Sequence, residues 1–376
     1  MPMSALRRAL PVAGCAALLL FAGCATEPTV RAPMRSPDEV RAQLVSLLPP
    51  ATRDREGWAT DIQSAFQLLD LPPSTENLCA VLAVTEQEST FTADPTVPGL
   101  AKIARDEIDR RAARFKVPQF AVRAALKLES PNGRTYGERI AAVRTERELS
   151  ELFEDLIGRV PLGKRLFGDA NPVRTGGPMQ VSIAFAERHA ARHGYPYGGD
   201  ESIRRAVFTR RGGMYYGIAH LLDYPNSYER HLYRYADFNA GWYASRNAAF
   251  QAAVTAATGV PLALDGDLVL HERKRGQPRV GATEAAVRTL GPQLGLSDAA
   301  IRRALARSDS DDFERTALYE GVFALAERAK GRALPRAVMP RITLQSPKIT
   351  RKLTTEWFAT RVQARYQRCV NKAFGV

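Results

Sequence analysis

Apolar and polar positions alternate along most of the chain with the spacing of an α-helix. In eleven segments the apolar residues recur three or four positions apart, which puts them on one face of each predicted helix. The segments are residues 40–48, 59–71, 74–91, 100–115, 118–128, 146–157, 180–193, 282–294, 298–306, 312–330 and 354–374. Residues 262–270 instead carry an Asp-Gly pair between two apolar runs, which predicts a small β-hairpin. The pattern predicts a mainly α fold with a C-terminal helical extension.

The first residues have the pattern of a bacterial lipoprotein leader. Two arginines precede a short apolar run that ends in a lipobox at Cys24, so residues 1–23 are interpreted as a secretory signal peptide. The run is shorter than the ~20 residues that cross a bilayer as a helix. By resemblance to bacterial lipoproteins, Cys24 is the acylated first residue, and Ala25 behind it indicates sorting to the outer membrane. Residues 24–36 are then a lipidated tether.

Two further cysteines remain after the leader is removed. Disulfides persist in oxidising compartments such as the periplasm, so we expect Cys79 and Cys369 to form a bridge. The bridge would join the last predicted helix to the helix that ends near Glu88, and it would stabilise the fold by about 4 or 5 kcal/mol. Two buried, unpaired cysteines are the alternative.

The chain is strongly basic, with a net charge of +13. Basic proteins favour polyanions, and in the periplasm these are the carboxylates of peptidoglycan and anionic lipid headgroups, so nucleic acid is not an expected partner. An arginine-rich, solvated surface is the competing explanation. The 45% hydrophobic and 25% charged composition is that of an ordinary globular protein with a sizeable core.

Three short segments, far apart in the chain, carry the chemical information. They are Glu88-Ser89-Thr90-Phe91, Gly177-Pro178-Met179-Gln180 and Phe238-Asn239-Ala240-Gly241. Their order and wording resemble the signatures of the lysozyme-like lytic transglycosylases, which cut the glycan strands of bacterial cell walls. The resemblance implies a lysozyme-like helical domain and a peptidoglycan substrate that is cleaved without a cofactor.

Glu88 is the candidate catalytic residue. Its helical neighbours Val81, Val84 and Phe91 are apolar, and it stands near the C-terminal end of its predicted helix. Burial and the negative end of the helix dipole both disfavour a carboxylate, so we expect a raised pKa for Glu88. A glutamate that stays protonated near neutral pH is suited to act as a general acid. A surface glutamate at a fraying helix end is the alternative.

The resemblance also assigns roles to the other motif residues. In that family one glutamate protonates the bond between N-acetylmuramic acid and N-acetylglucosamine and then takes the proton of the muramic 6-hydroxyl. Ser89 would help to orient this glutamate, and Met179 and Gln180 would shape the groove beside the cleaved bond. Asn239 would hydrogen-bond a sugar N-acetyl group or the carboxylate, and Gly241 completes the third substrate-binding motif.

The sequence departs from the family pattern at two motif positions. Phe238 stands where family members usually have a tyrosine, so a hydroxyl group is missing. Pro178 stands in place of a leucine, which fixes φ and removes a backbone donor. These departures concern activity more than fold.

The spacing of the motifs also implies a domain arrangement. Residues 37–275 would form the lysozyme-like domain, with a helical insertion at about 100–170 where the family usually has a short loop. This insertion contains Glu129, which is followed by a serine at a predicted helix end and is the alternative acid. Residues 276–376 would form a C-terminal helical lobe that packs on the core.

Over its whole length the chain resembles an uncharacterised family of Gram-negative outer-membrane lipoproteins related to YaiW. This resemblance covers the leader and the C-terminal lobe, whereas the transglycosylase motifs cover only short windows. It implies an envelope location and no known reaction.

Histidine and arginine residues near the second and third motifs are further candidates for a metal site and for a site that binds an anionic group. His189 and His193 share a predicted helix with Glu187, but their order is not HExxH and no third ligand is evident, so no metal site is expected. Arg210 and Arg211 precede two glycines and are interpreted as a basic surface turn or a site for an anionic peptide stem.

Six tyrosines surround His220 and His231 in the sequence. They fit either a sugar-stacking wall or aromatic packing beneath a loop, and the sequence leaves both open. The six are Tyr215, Tyr216, Tyr224, Tyr228, Tyr233 and Tyr235.

Two functional hypotheses follow from the sequence. The first is a membrane-bound lytic transglycosylase that uses Glu88 as its acid and base. The second is a lysozyme-like lipoprotein that has lost catalysis and binds cell-wall glycan or an envelope protein partner. The apolar setting of Glu88 favours the first hypothesis, while Phe238 and the long insertion favour the second.

Overall fold

The protein is mainly helical, as the apolar spacing predicts. The computed structural model describes residues 35–159, 171–199, 202–270, 273–274, 277–344 and 351–376, and gives only the backbone for 273–274 and 277–278. The predicted signal peptide and Cys24 lie outside the described residues, as do nearly all of the tether and the last part of the insertion. Residues Ser36–Val376 form one compact unit.

Seventeen α-helices are found in the described ranges. They are α1 (Pro37–Leu47), α2 (Arg55–Leu68), α3 (Thr75–Ser89), α4 (Leu100–Arg114), α5 (Gln119–Leu126), α6 (Tyr136–Ala142), α7 (Glu146–Gly158), α8 (Ile183–His193), α9 (Ile203–Val207), α10 (Arg210–Leu222), α11 (His231–Ala240), α12 (Ala244–Thr258), α13 (Ala282–Thr289), α14 (Gly291–Leu294), α15 (Asp298–Leu305), α16 (Ala317–Lys330) and α17 (Thr355–Phe374). A 3-10 helix at Asp311–Arg315 precedes α16. None of the described helices is long and apolar enough to span a bilayer.

The described strands form three antiparallel pairs of two residues each. They are β1 (Thr175–Gly176) with β2 (Val181–Ser182), β3 (Arg273–Lys274) with β4 (Gln277–Pro278), and β5 (Thr343–Leu344) with β6 (Leu353–Thr354).

The hairpin predicted at residues 262–270 is wrong, because this segment contains no strand. The side chain of Gln251 on α12 forms hydrogen bonds with the backbone of this segment, in place of those that a partner strand would form. Its Oε1 accepts from the Gly266 N–H at 2.9 Å, and its Nε2 donates to the Asp267 carbonyl at 3.2 Å. The Asp-Gly turn therefore packs onto a helix.

The first apolar cluster is built around α3, whose residues from Leu78 to Thr85 are all buried. Ser74 caps this helix by accepting a hydrogen bond from the Asn77 N–H at 3.2 Å. The last helix, α17, packs along α3 and α11 and contributes Phe358 to the same cluster. The helix α17 thus completes the apolar core that is built around α3.

The predicted disulfide is confirmed. Cys79 on α3 and Cys369 on α17 are bonded, with 5.5 Å between their Cα atoms and a sequence separation of 290. Glu86 adds ion pairs to Arg365 at 3.5 Å and Arg368 at 3.2 Å across the same helix pair. Closing so long a loop lowers the entropy of the unfolded chain and stabilises the fold by about 4 or 5 kcal/mol.

A second apolar cluster is formed by the helices from α12 to α16. Phe250 of α12 lies with its ring 5.8 Å from that of Tyr319 and 5.1 Å from that of Phe313. Both residues belong to the segment that begins at the 3-10 helix, and all three are buried. The predicted domain boundary near residue 275 stays a prediction.

The helices α9 to α12 have no counterpart in the sequence prediction. Gly212 and Gly213 indicate a turn in sequence, yet both are buried inside α10. Arg210 and Arg211 open this helix and bind the buried Asp61 of α2, at 2.6 and 3.0 Å, so the interpretation as a basic surface turn is wrong. The helix is buried on nearly all sides, so it has no apolar stripe to reveal it.

Candidate functional site

The three motifs meet at one cleft of about 1070 Å³. Glu88 from the end of α3, Gln180 from the turn before β2, and Phe238, Asn239 and Gly241 from the end of α11 all line it. Segments that are far apart in sequence thus contribute to one surface. The sequence predicts this convergence through the motif resemblance alone.

Three of the predicted site residues do not line the cleft. Ser89 is buried, and its hydroxyl donates to the Thr85 carbonyl at 3.2 Å and accepts from the Thr92 N–H at 3.3 Å, so it closes the end of α3. Met179 is fully buried in the first cluster. The alternative acid Glu129 is exposed and does not belong to the cleft lining.

The second motif forms a tight turn that holds Gln180 at the cleft. The Gln180 N–H donates to the Gly177 carbonyl at 3.0 Å, and Gly177 has a φ of +72°. A β-carbon at Gly177 would overlap the carbonyl oxygen of Val207. The side-chain amide of Gln180 donates to the Gly177 carbonyl at 3.2 Å and accepts from Thr175 Oγ1 at 3.3 Å. Its orientation is therefore fixed before a ligand arrives.

A glycine face on α10 receives this turn. A β-carbon on Gly213 would overlap Pro178, and one on Gly217 would overlap Met179. Pro178 thus has a defined place against the helix, although it departs from the family pattern. The glycines let the motif approach the helix backbone closely, which positions the turn relative to the cleft.

The last helix holds Asn239 in place. Asn239 is exposed in the cleft, and its Oδ1 accepts a hydrogen bond from Thr355 Oγ1 at 3.1 Å. Thr355 is fully buried at the start of α17. Two residues after Asn239, Gly241 has a φ of +109°, a conformation that favours glycine.

Asp237, just before the third motif, organises the turn between α11 and α12. Its buried carboxylate accepts from the hydroxyls of Tyr224 at 3.2 Å and Tyr228 at 2.6 Å, and from the N–H groups of Tyr243 at 3.0 Å and Ser245 at 2.7 Å. Burial raises the pKa of Asp237 to about 6, and the hydrogen bonds oppose this rise. The network fixes the backbone that carries Asn239 and Gly241.

Aromatic rings form part of the cleft wall. Trp242 lies in the lining and donates from Nε1 to the His220 carbonyl at 2.7 Å, while its ring stacks on Tyr224 with 5.0 Å between centroids. Phe185 lies edge-on to Trp242 at 5.3 Å. A half-buried, fixed tryptophan provides a flat apolar face.

The six tyrosines that the sequence singles out are absent from the described lining of the cleft. Tyr215, Tyr216 and Tyr235 are buried in the first cluster. Aromatic packing is thus what the structure supports for Tyr215, Tyr216 and Tyr235, and Trp242 is the aromatic residue of this region that lines the cleft. The signal that could have found Trp242 is its position directly after the third motif.

Three histidines also line the cleft. Burial, with a smaller contribution from Arg188, lowers the pKa of His220 to about 4, so its ring is neutral at neutral pH. Buried His189 lies 3.6 Å from the Asp223 carboxylate, and its ring is tilted against that of His193 with 4.7 Å between the centroids. Among the described residues, no cluster of three histidine, cysteine or acidic side chains could hold a metal ion.

The remaining wall consists of two loops that α12 holds in position. Asn247 donates from Nδ2 to the carbonyls of Gly266 at 3.2 Å and Ser308 at 2.9 Å. The fully buried Arg246 donates to the carbonyls of Ser308 at 2.6 Å and Ser310 at 2.8 Å, and its guanidinium lies 4.0 Å from the Tyr243 ring centroid. These contacts fix the loops beside the aromatic wall.

The charges of the lining differ between its segments. Arg188 and Arg192 come from α8, whereas Asp265, Asp267 and Asp309 come from the two loops. The cleft can therefore offer cations and carboxylates to different parts of one extended ligand.

Comparisons with known proteins give a family and no activity. The family model described as "Protein of unknown function (DUF1615)" matches residues 51–372. The chain is 53% identical over 359 residues to "Uncharacterized protein YaiW" of Escherichia coli (strain K12), covering 95% of this chain and 96% of that protein. No solved structure matches the chain, so the predicted likeness to lysozyme stays a prediction.

Proposed function

Since the chain belongs to the DUF1615 family of proteins of unknown function, we propose its activity from the cleft. The proposed activity is cleavage of cell-wall glycan strands between N-acetylmuramic acid and N-acetylglucosamine, with Glu88 as acid and base. The supporting observation is the convergence of Glu88, Gln180 and Asn239, from three separate segments, on one cleft of about 1070 Å³.

The proposed reaction uses one carboxyl group twice. Protonated Glu88 gives its proton to the oxygen of the glycosidic bond, and that bond breaks as positive charge develops on the muramic ring. The resulting carboxylate then takes the proton of the 6-hydroxyl of the same sugar. The 6-oxygen bonds to the anomeric carbon, so a 1,6-anhydro ring forms and Glu88 is protonated again.

The lining provides groups that suit a sugar chain. The fixed face of Trp242 suits the apolar side of a sugar ring, and the amides of Gln180 and Asn239 suit hydroxyl and N-acetyl groups. Because hydrogen bonds and packing already hold these side chains, little ordering is needed when a strand binds.

The experiment is digestion of purified sacculi, with the products resolved by mass spectrometry. Wild-type protein should release anhydro-muropeptides, and Glu88→Gln should release none while its unfolding transition is unchanged. Glu129→Gln is the matched control, because it changes the exposed alternative acid outside the cleft. Equal product release by wild type and Glu88→Gln would reject Glu88 as the acid.

A second candidate function is glycan binding without cleavage. It is favoured by Phe238, which lines the cleft and provides no hydroxyl group where the lytic transglycosylases usually have a tyrosine. In this case neither wild type nor Glu88→Gln releases products, and both co-sediment with sacculi. Trp242→Ala should then reduce retention, and a wild type that is not retained would reject this candidate as well.

The location that fits this activity is the periplasmic side of the cell envelope. We place the chain at the outer membrane through an acyl group on Cys24, on the basis of the leader sequence. Labelling of cells with palmitate should give a labelled protein that Cys24→Ser does not give. A label that persists in Cys24→Ser would contradict the anchor.

A further inference from the structure

The turn between α4 and α5 exposes large apolar side chains. Residues 113–120 are all exposed, and among them Phe115 is 72% exposed, Phe120 70% and Val117 42%. Leu128, just beyond α5, is 53% exposed. We call residues 113–128 the α4–α5 tip. So much apolar surface in one short segment indicates a contact that the isolated chain does not make.

The tip is also strongly cationic. From residue 110 to residue 128 the sequence contains no aspartate or glutamate and has six basic residues. Arg110 and Arg111 pair with Glu107. The other four are exposed, and no carboxylate in the described ranges pairs with them. They are Arg114, Lys116, Arg123 and Lys127.

The turn is ordered, so these side chains are held outward. The Phe115 N–H donates to the Arg111 carbonyl at 3.0 Å, and the Val117 N–H donates back to the Ala112 carbonyl at 2.8 Å, which closes the end of α4. On the other side of α5, Val122 and Leu126 are buried in the first cluster. The helix pair therefore has its own inward apolar contacts, and Phe115 and Phe120 are additional to them.

We propose that the α4–α5 tip docks on an anionic lipid surface. Aromatic side chains partition into the region between lipid headgroups and acyl chains, and each nearby lysine or arginine adds attraction to anionic headgroups. The α4–α5 tip combines both features. A lipid surface needs no complementary pocket, so the exposed side chains of the tip can contact it directly. This contact is separate from the glycan cleft and from the acyl group proposed at Cys24.

The test uses the compact unit Ser36–Val376, which contains both apolar clusters and lacks Cys24. Co-sedimentation is measured with vesicles of phosphatidylcholine alone and of phosphatidylcholine with phosphatidylglycerol. The unit should bind the anionic vesicles and lose binding as salt is raised. Phe115→Ser with Phe120→Ser, and separately Arg114→Glu with Lys116→Glu, should each weaken partitioning at least about ten-fold.

Matched controls separate the tip from general surface effects. Leu68→Ser with Phe374→Ser removes two other exposed apolar residues, and Lys330→Glu with Arg332→Glu reverses two other exposed cations. Both controls should bind like the parent unit, and circular dichroism should show the same helix content in all variants. A parent unit that does not bind anionic vesicles, or tip variants that bind as well as the controls, would overturn the proposal and leave the tip for a protein partner.

Discussion

Asn239 in the cleft is held by Thr355, a residue 116 positions later in the chain, through a hydrogen bond of 3.1 Å. Thr355 is buried at the first turn of α17, and α17 is bonded covalently to α3 through Cys369 and Cys79. The last helix therefore does more than cover the core. It also positions the side chain of Asn239, although Asn239 itself belongs to α11 and to the third sequence motif.

Removal of this hydrogen bond should impair the site more than the fold. Thr355→Val keeps the size of the side chain but leaves Asn239 without its partner. We expect the free energy of unfolding to fall by about 1 kcal/mol, because water can reach the exposed amide. Glycan cleavage or retention should fall several-fold. Thr355→Ser keeps the hydroxyl and should behave like wild type, and equal losses in both variants would indicate a packing effect.

The glycine face of α10 should not tolerate a methyl group. Alanine normally stabilises a helix relative to glycine by about 1 kcal/mol, but at Gly217 the new β-carbon would overlap Met179. Gly217→Ala should therefore lower the free energy of unfolding by about 1 to 3 kcal/mol in urea titrations. A Gly217→Ala protein as stable as wild type would contradict the close approach.

Loss of the disulfide should be costly. Cys79→Ala with Cys369→Ala should lower the free energy of unfolding by about 4 kcal/mol, because the unfolded chain regains the freedom of a 290-residue loop. The partners lie on α3 and α17, so site function should fall with stability. Peptide mapping of the oxidised wild type should give one linked pair of peptides, and two free thiols in that sample would contradict the bridge.

The neutral form of His220 should make stability depend on pH. Its folded pKa of about 4 lies below the usual 6.5, so the unfolded chain binds a proton more readily in this interval. The contribution of His220 is complete above pH 6.5 and is lost as pH falls toward 4. The difference in unfolding free energy between wild type and His220→Gln should therefore grow with pH across this window, by about 3 kcal/mol.

Asp237 acts in the opposite direction, so the comparison must use the variant. Its folded pKa of about 6 lies above 3.8, which means that the folded state binds the proton more tightly between these values. Wild-type stability alone would mix the two slopes. A difference between wild type and His220→Gln that does not change between pH 4.5 and 7 would contradict burial of the imidazole.

The sequence predicts helices best where one face is apolar and the other is polar. The helices α1, α2, α4, α5 and α17 have this pattern, and their predicted and observed positions agree within a few residues. The helix α10 escapes the prediction because it is buried on nearly all sides and contains Gly212, Gly213 and Gly217. Helix propensity and apolar periodicity do not predict a helix that is buried on nearly all sides and contains glycines against which another segment packs.

The residues of the candidate site also divide into those that the sequence reveals and those that it does not. The motifs bring Glu88, Gln180 and Asn239 to attention, because they are local signatures that can be compared with a family. Thr355 and Arg246 have no such signature. Their roles come from contacts with residues 116 and about 60 positions away, which appear only once the chain is folded.

The bridge between α3 and α17 has a topological consequence for the cleft. Every described residue of the lining, from Glu88 to Ser310, lies between Cys79 and Cys369 in the sequence. A protease that cuts the chain once anywhere in this interval leaves two fragments that remain linked through sulfur. The walls of the cleft therefore stay on one molecule after a nick that would separate an unbridged protein into two halves.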